Sequence, residues 1–283
     1  MSNKNYLSIY AKSFNWAGFF LPKQTYLKCS ALYDFCRVAD NIADSDEAIE
    51  IKKIKFLDFH NNFNNQKFDD PIIKNMWQLI NEFNIPLKIV HDLLDGISSD
   101  IKKNIKLSKQ KDLLLYSYRV AGTVGLMMAK ILRVNKKSSL KSAIDLGIAM
   151  QLTNISRDVV EDLHFGRSYI NLNFEEIKST IKLSESYYEN SFYSIKQIPF
   201  AFRFAILVAR RVYRKIGYKI LKKQNLENYK KSGKIYVSNI EKIIETLLSI
   251  FDLIKLSLIS KDDNNIEHDH DLINEEININ ERI

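Results

Sequence analysis

Glycine and proline are scarce in this sequence: eight and four in 283 residues, where ordinary usage is about 7% and 5%. With so few breakers and no β-alternation of useful length, a sheet protein is a poor fit. Cysteine is nearly absent too. Cys29 and Cys36 stand alone, seven residues apart on one expected helix, about 10 Å along its axis and beyond disulfide reach. No uncharged apolar run attains the ~20 residues of a spanning helix: Val120–Ala129 stops at Lys130, and Phe204–Ala209 is enclosed by Arg203 and Arg210. The first residues, MSNKNYLSIYAKSFNW, lack the continuous apolar stretch of a signal peptide. These absences predict a reducing cytoplasm as the compartment. GxGxxG, P-loop, HExxH and GxSxG patterns are missing as well, which removes the commonest dinucleotide, nucleotide, zinc-protease and hydrolase readings.

What is present is long apolar runs at helical spacing. They predict an all-α chain, large enough to bury a core without disulfides. After a short segment over 1–20, helices are expected at Pro22–Asp44, 47–62, 72–83, 86–103, 110–133, 138–163, 184–197, 199–224 and 236–260. No repeat of solenoid period appears. The reading is one helical domain over 1–260 and an acidic tail over 261–283, expected to be disordered.

Charge is unevenly spread. The tail holds eight acids and two bases, so of the total of +8 the first 260 residues carry +14. A basic body suits an anionic partner: nucleic acid, acidic lipid or a phosphorylated substrate. Compositional drift toward Lys, Ile and Asn explains the surface lysines equally well.

Two acidic pairs stand out. Asp40 and Asp44 lie in CRVADNIADS; Asp158 and Asp162 lie in QLTNISRDVVEDLHFGRSYI. Like charges at i and i+4 cost a helix roughly 0.2–0.5 kcal/mol. Each pair extends a polar stripe: Tyr33, Arg37, Asp40 and Asp44 share one face, and Gln151, Asn154, Asp158 and Asp162 share another. Solvated faces paired with lysines would explain either stripe alone. Two stripes together, each with arginine alongside, point to hard cations held between helices. Carboxylate and amide oxygens suit Mg²⁺, which typically binds one or two carboxylates plus substrate phosphates. Arg37, Arg157 and Arg167 lie beside the pairs and offer planar forks to phosphate oxygens, or to the same aspartates. Tyr116 and Tyr118 in YSYRVAGTVGLMM sit near Ala121, Gly122 and Gly125, small residues that give either close helix approach or room for a ligand. The histidines offer less: His268 and His270 fall in the tail, and His60, His91 and His164 lack matching ligand partners.

These segments resemble the squalene and phytoene synthase family of head-to-head prenyl synthases. AKSF, YDFCRVADNIAD, YSYRVAGTVGLMM and QLTNISRDVVEDLHFGRSYI occur in the family's order and spacing. VAGTVGLMMAKIL and NISRDVVED look most like bacterial phytoene synthases. The resemblance implies an all-α isoprenoid-synthase-type bundle around a central cavity. It implies Mg²⁺, with Mn²⁺ as a substitute, on Asp40, Asp44, Asn154, Asp158 and Asp162. Tyr33, Arg37, Tyr116, Tyr118 and Gln151 become candidates around the reacting groups. Lys12, Ser13, Arg157, Arg167 and Lys234 become candidates for substrate binding. Tyr10 stands where some relatives carry His.

The activity so implied is head-to-head condensation of two geranylgeranyl diphosphates to phytoene through a cyclopropyl diphosphate, a prenyltransferase reaction of carotenoid biosynthesis. NADPH and nucleic acid are not expected. A peripheral contact with the inner face of a membrane is, given the basic body and a greasy product. Squalene or dehydrosqualene synthesis from C15 substrates uses the same motifs. A non-catalytic family member acting in assembly is the alternative from another class.

Overall fold

The computed structural model describes residues 12–102, 104–107, 109–258 and 270–283, and nearly all its elements are helical. Helix α1 (Lys12–Gly18) leads into α2 (Lys23–Ala43), α3 (Ile49–Asn64), α4 (Pro71–Phe83) and α5 (Leu87–Ser99). A two-residue strand β1 (Ile105–Lys106) precedes α6 (Gln110–Ser117), a π turn (Tyr118–Gly122) and α7 (Thr123–Ile131). Then come α8 (Lys137–His164), β2 (Arg167–Ser168), α9 (Phe174–Phe192) with a 3₁₀ turn (Tyr193–Gln197), α10 (Phe200–Leu221), α11 (Leu226–Lys231) and α12 (Asn239–Leu258). A short α13 (Asp271–Asn274) and a 3₁₀ turn (Ile279–Glu281) complete the order.

Local chemistry sets many of these ends. Asp70 caps α4 by accepting from the Ile72 amide at 2.8 Å, Pro71 fills its first position, and Asn84 closes it in the left-handed region. Helix α8, 28 residues long, is the axis of the bundle. It buries Leu140, Ile144, Ile148, Leu152, Ile155 and Val159 at helical steps and packs against α7, α9, α10 and the π turn. Helix α2 packs against α3, α4, α5 and α7. A methyl on Gly125 would meet the Ala143 carbonyl oxygen at 2.2 Å, and one on Gly147 would meet that of Ala121 at 2.2 Å. Gly125 therefore serves close helix approach, whatever room it also leaves for a ligand.

Several sequence expectations are corrected. The helix over 110–133 is interrupted by the π turn, which re-aims its side chains locally. Helix α9 begins at Phe174 rather than 184, started by Asn173, whose side chain accepts from the Glu175 amide at 2.8 Å. Helix α11 was not expected. A parallel bridge pairs Ile105 with Arg167 and Lys106 with Ser168; Gly166, at φ +74°, makes the turn into it. The disorder expected of 261–283 fails for 270–283. There Ile273, Ile277 and Ile279 are buried, His270 Nε2 meets Asp145 Oδ1 at 2.6 Å, and Arg282 binds Asp92 at 2.9 and 3.1 Å. Residues 261–269, with His268, lie outside the described residues, as does Tyr10. Among the described residues no helix is long and apolar enough to cross a membrane.

Candidate active site

Helical spacing turns one stripe of α2 and one of α8 toward a shared cavity of about 280 Å³. From α2 it is lined by Tyr26, Cys29, Tyr33, Cys36 and Asp40; from α8 by Ser139, Ser142, Ala143, Leu146, Gly147, Met150, Gln151 and Asn154. The π turn and α7 add Val120, Ala121, Val124 and Met128, and α1 and α10 close the side with Phe14, Ala17, Ala205 and Ile206. The walls are apolar nearly throughout. Both cysteines are free, and burial pushes the Cys29 thiol up to about 12, which leaves it unreactive.

Polar groups gather at the end of α8 that carries Asn154. Burial, and next the like charge of Asp44, raises Asp40 to about 7. Burial, and next Asp158, raises Asp162 to about 7. Asp100 and Arg167 act electrostatically on both Asp40 and Asp162, so the two acidic pairs share one field. Arg167 donates from Nη1 to Asp44 Oδ1 at 2.8 Å and from Nη2 to the carbonyls of Ala43 and Asp100 at 3.3 and 3.4 Å. The β1–β2 bridge supplies its rigid mount. Arg157 grips Asp158 through Nε and Nη2, with Nε at 2.8 Å from Oδ1. Burial works against its charge, and the bonds to Asp158 outweigh that, raising its pKa. Lys234 Nζ reaches Glu161 at 2.5 Å and lies 3.6 Å from Asp158.

The remaining sequence candidates divide. Tyr33 and Gln151 line the cavity; burial raises the Tyr33 phenol, and Arg37 opposes that shift. Tyr116 donates to Asp100 Oδ2 at 2.8 Å, beside the acidic pairs rather than on the cavity wall. Tyr118 goes elsewhere. It is fully buried, donates to Asp92 Oδ2 at 3.0 Å and is not among the residues that line the cavity. Lys12 is exposed and Ser13 half-buried; neither is a cavity-lining residue, and Lys12 lies near Lys242, which burial and then Lys12 lower.

Sequence reasoning missed three participants. Tyr169 stacks on Tyr116 with ring centroids 4.6 Å apart and donates to Asp100 Oδ1 at 2.7 Å. Asp100 thus accepts from two phenols, and burial raises its carboxyl against those bonds. Tyr229 donates to the carbonyls of Ser156 and Arg157 at 3.0 and 2.8 Å, fixing the backbone beside Asp158. A signal existed for Tyr169: it stands two residues after Arg167, just past β2, within the same motif, QLTNISRDVVEDLHFGRSYI.

The donor set fits a hard divalent cation. Asn154 Oδ1 is buried without a hydrogen-bond partner, a condition that commonly marks an ion or water site. Asp40 and Asp162, raised by burial and by a neighbouring carboxylate, are relieved by a cation. Among the described residues no three acidic, His or Cys side chains converge as a closed cage. Mg²⁺ needs none, since phosphates and waters complete its shell.

An all-α bundle with paired carboxylates and arginines at one end of an apolar cavity has the form of a prenyl-transferring enzyme. Residues 8–173 match the squalene/phytoene synthase family, and the chain belongs to that family. It is 28% identical over 247 residues to the 15-cis-phytoene synthase of Pantoea ananas, covering 76% of this chain and 80% of the relative. It is 30% identical over 244 residues to the phytoene synthase of Pseudescherichia vulneris, covering 74% and 78%. The crystal structure of a dehydrosqualene synthase in complex with ligand superposes with a TM-score of 0.69 at 28% identity, covering 88% of this chain and 94% of that one.

Proposed function

We propose that the protein joins two geranylgeranyl diphosphates head to head, through a cyclopropyl diphosphate, to phytoene. The observation that carries the chain length is the stripe of α8 that lines the cavity. From Asn154 to Ser139 it runs fifteen residues along the cavity, about 22 Å at 1.5 Å per residue. An extended C20 prenyl chain, with sixteen carbons in line, is roughly 20 Å long from ordinary bond lengths; a C15 chain is roughly 15 Å.

Diphosphate oxygens bind at the Asn154 end, where Arg37, Arg157, Arg167 and Lys234 offer charge-assisted donors. Asp40, Asp44, Asn154, Asp158 and Asp162 would hold Mg²⁺, which when bound stabilises negative charge on the departing diphosphate. Arg157 and Arg167 order the aspartates in the free enzyme and turn to substrate when it arrives. Loss of diphosphate from the donor leaves an allylic cation, which the acceptor's double bond attacks; proton loss closes the cyclopropane. A second ionisation, rearrangement and proton loss give the hydrocarbon. The apolar walls exclude water that would quench these cations. Tyr33, on the wall beside Asp40, keeps its proton and orients the reacting carbons. No reduction occurs, so NADPH is not required.

The likeness to a dehydrosqualene synthase supports C15 substrates as the second reading. One assay decides. Purified enzyme is incubated with Mg²⁺ and either C15 or C20 diphosphate, with and without NADPH, and the hydrocarbon is identified. Phytoene from the C20 substrate is expected; turnover of the C15 substrate alone would overturn the reading.

A further inference from the structure

Helix α12 is built inside out. Its acids, Glu241, Glu245 and Asp252, turn toward α10, where they pair with Lys219 at 2.7 Å, Lys215 at 3.1 Å and Arg211 at 3.0 and 2.8 Å. Lys242, Glu245, Ser249 and Leu256 are its buried residues. The opposite face presents nine large apolar side chains to solvent, among them Ile240 at 72%, Phe251 at 67% and Leu258 at 79% exposure. A helix packed by the hydrophobic effect alone would be rotated by half a turn. The nine side chains expose about 1,000 Å² at roughly 200 Å² each, against 300–600 Å² for the largest patch on a typical soluble monomer.

The surroundings narrow the occupant. Trp16 of α1 donates from Nε1 to Thr246 Oγ1 of α12 at 3.0 Å, so α12 rests on the element that supplies Phe14 and Ala17 to the cavity. Phe19, just past α1, and Phe200, on α10, are also exposed, and Phe20 packs edge-on against Phe204 of α10 at 5.0 Å. Helix α12 thus packs on α1 and α10, two of the helices that wall the apolar cavity. With its acids turned inward and ion-paired, it meets an outside surface with no negative charge of its own, on a chain of net charge +8. That combination suits an anionic lipid leaflet, in which an amphipathic helix lies along the headgroup boundary.

We propose that the Ile240–Leu258 face of α12 seats this protein on anionic lipid bilayers, beside the cavity that takes its apolar substrate. The inference deepens the proposed function: a prenyl substrate and a hydrocarbon product both partition into lipid.

The test uses the full chain with vesicles of phosphatidylcholine alone or mixed with phosphatidylglycerol, read by co-sedimentation. Binding is expected to the mixed vesicles, weakened at high salt, and reduced at least tenfold by Leu247→Glu/Phe251→Glu, with circular dichroism and melting unchanged. Absence of binding to either vesicle overturns the proposal. So does binding that appears only after residues 1–11 are removed, which would assign the face to that segment. A dimer in sedimentation velocity that the same substitutions dissolve, without vesicle binding, assigns it to a second copy and overturns the proposal too. Turnover of detergent-solubilised C15 and C20 diphosphates is measured in parallel. Turnover without vesicle binding sinks the docking face and leaves the activity standing; vesicle binding without turnover does the reverse.

Discussion

Arg167 reaches Asp44 across 123 positions of sequence and holds its carboxylate at 2.8 Å. The same guanidinium caps the carbonyls of Ala43 and Asp100, so one side chain ties the end of α2 to the segment that follows α5. Lysine keeps the charge but loses the fork. Arg167→Lys is expected to lower kcat/KM by about 10²-fold, within the range for losing one preorganised donor at a developing charge. Its melting temperature should hardly change, because Asp44 is 41% exposed and such pairs add little stability. Steady-state kinetics and a melt on one preparation check both halves.

Asp40→Asn and Asp158→Asn keep size and shape while removing charge. Each should abolish measurable turnover, a loss of at least about 10²-fold, in a protein that still folds. A well-folded Asp158→Asn enzyme with near-normal Mg²⁺-dependent turnover would show the metal assignment to be wrong.

Burial, then a neighbouring carboxylate, raises Asp40 and Asp162 to about 7. Such a group binds its proton more tightly folded than unfolded. Its stabilising effect is therefore complete below the unfolded value near 4 and is lost as pH rises through about 7. Metal-free protein in EDTA should melt progressively lower between pH 5 and pH 8. Added Mg²⁺ should raise the melting temperature more at pH 8, where the carboxylates are free of protons. An equal or larger Mg²⁺ effect at pH 5 would contradict this account.

Ala143 lies eleven residues from Asn154 along the cavity stripe of α8, about 16 Å down the helix axis. A bulky side chain there leaves the length of a C15 chain and blocks that of a C20 chain. Ala143→Phe is expected to shift the C20-to-C15 ratio of kcat/KM toward C15 by tenfold or more, read by competing the two substrates. An unchanged ratio would mean that the prenyl chains do not run along this stripe.

Gly147 sits against the Ala121 carbonyl, where an added methyl would lie 2.2 Å from oxygen. Gly147→Ala must push α8 away from the π turn. A loss of about 1–3 kcal/mol is expected from overpacking, measured by urea unfolding.

The acidic pairs were legible in sequence because their signal is local: like charges one turn apart, with arginine adjacent. The long helices were legible because periodicity is local too. Asp100 carried no such mark. Its role arises from Tyr116 and Tyr169, 16 and 69 residues away, and only the fold brings them together. The start of α9 was missed despite a readable cap, Asn173 before Glu175 and Glu176. The segment 270–283 read as a solvated acidic tail because its few apolar residues are sparse. What anchors it is His270 on Asp145 and Arg282 on Asp92, partners 125 and 190 residues distant. Composition does not register contacts of that range.

The Asp92–Arg282 pair has a consequence for synthesis. Asp92 lies 7% exposed, bound by Arg282 and by the Tyr118 hydroxyl. Until residue 282 leaves the ribosome, a nascent chain that has already packed α5 against the π turn holds this carboxylate without its cation, an expensive state for a buried charge. Final consolidation around the π turn therefore waits for Arg282 to dock, 190 residues downstream of its partner.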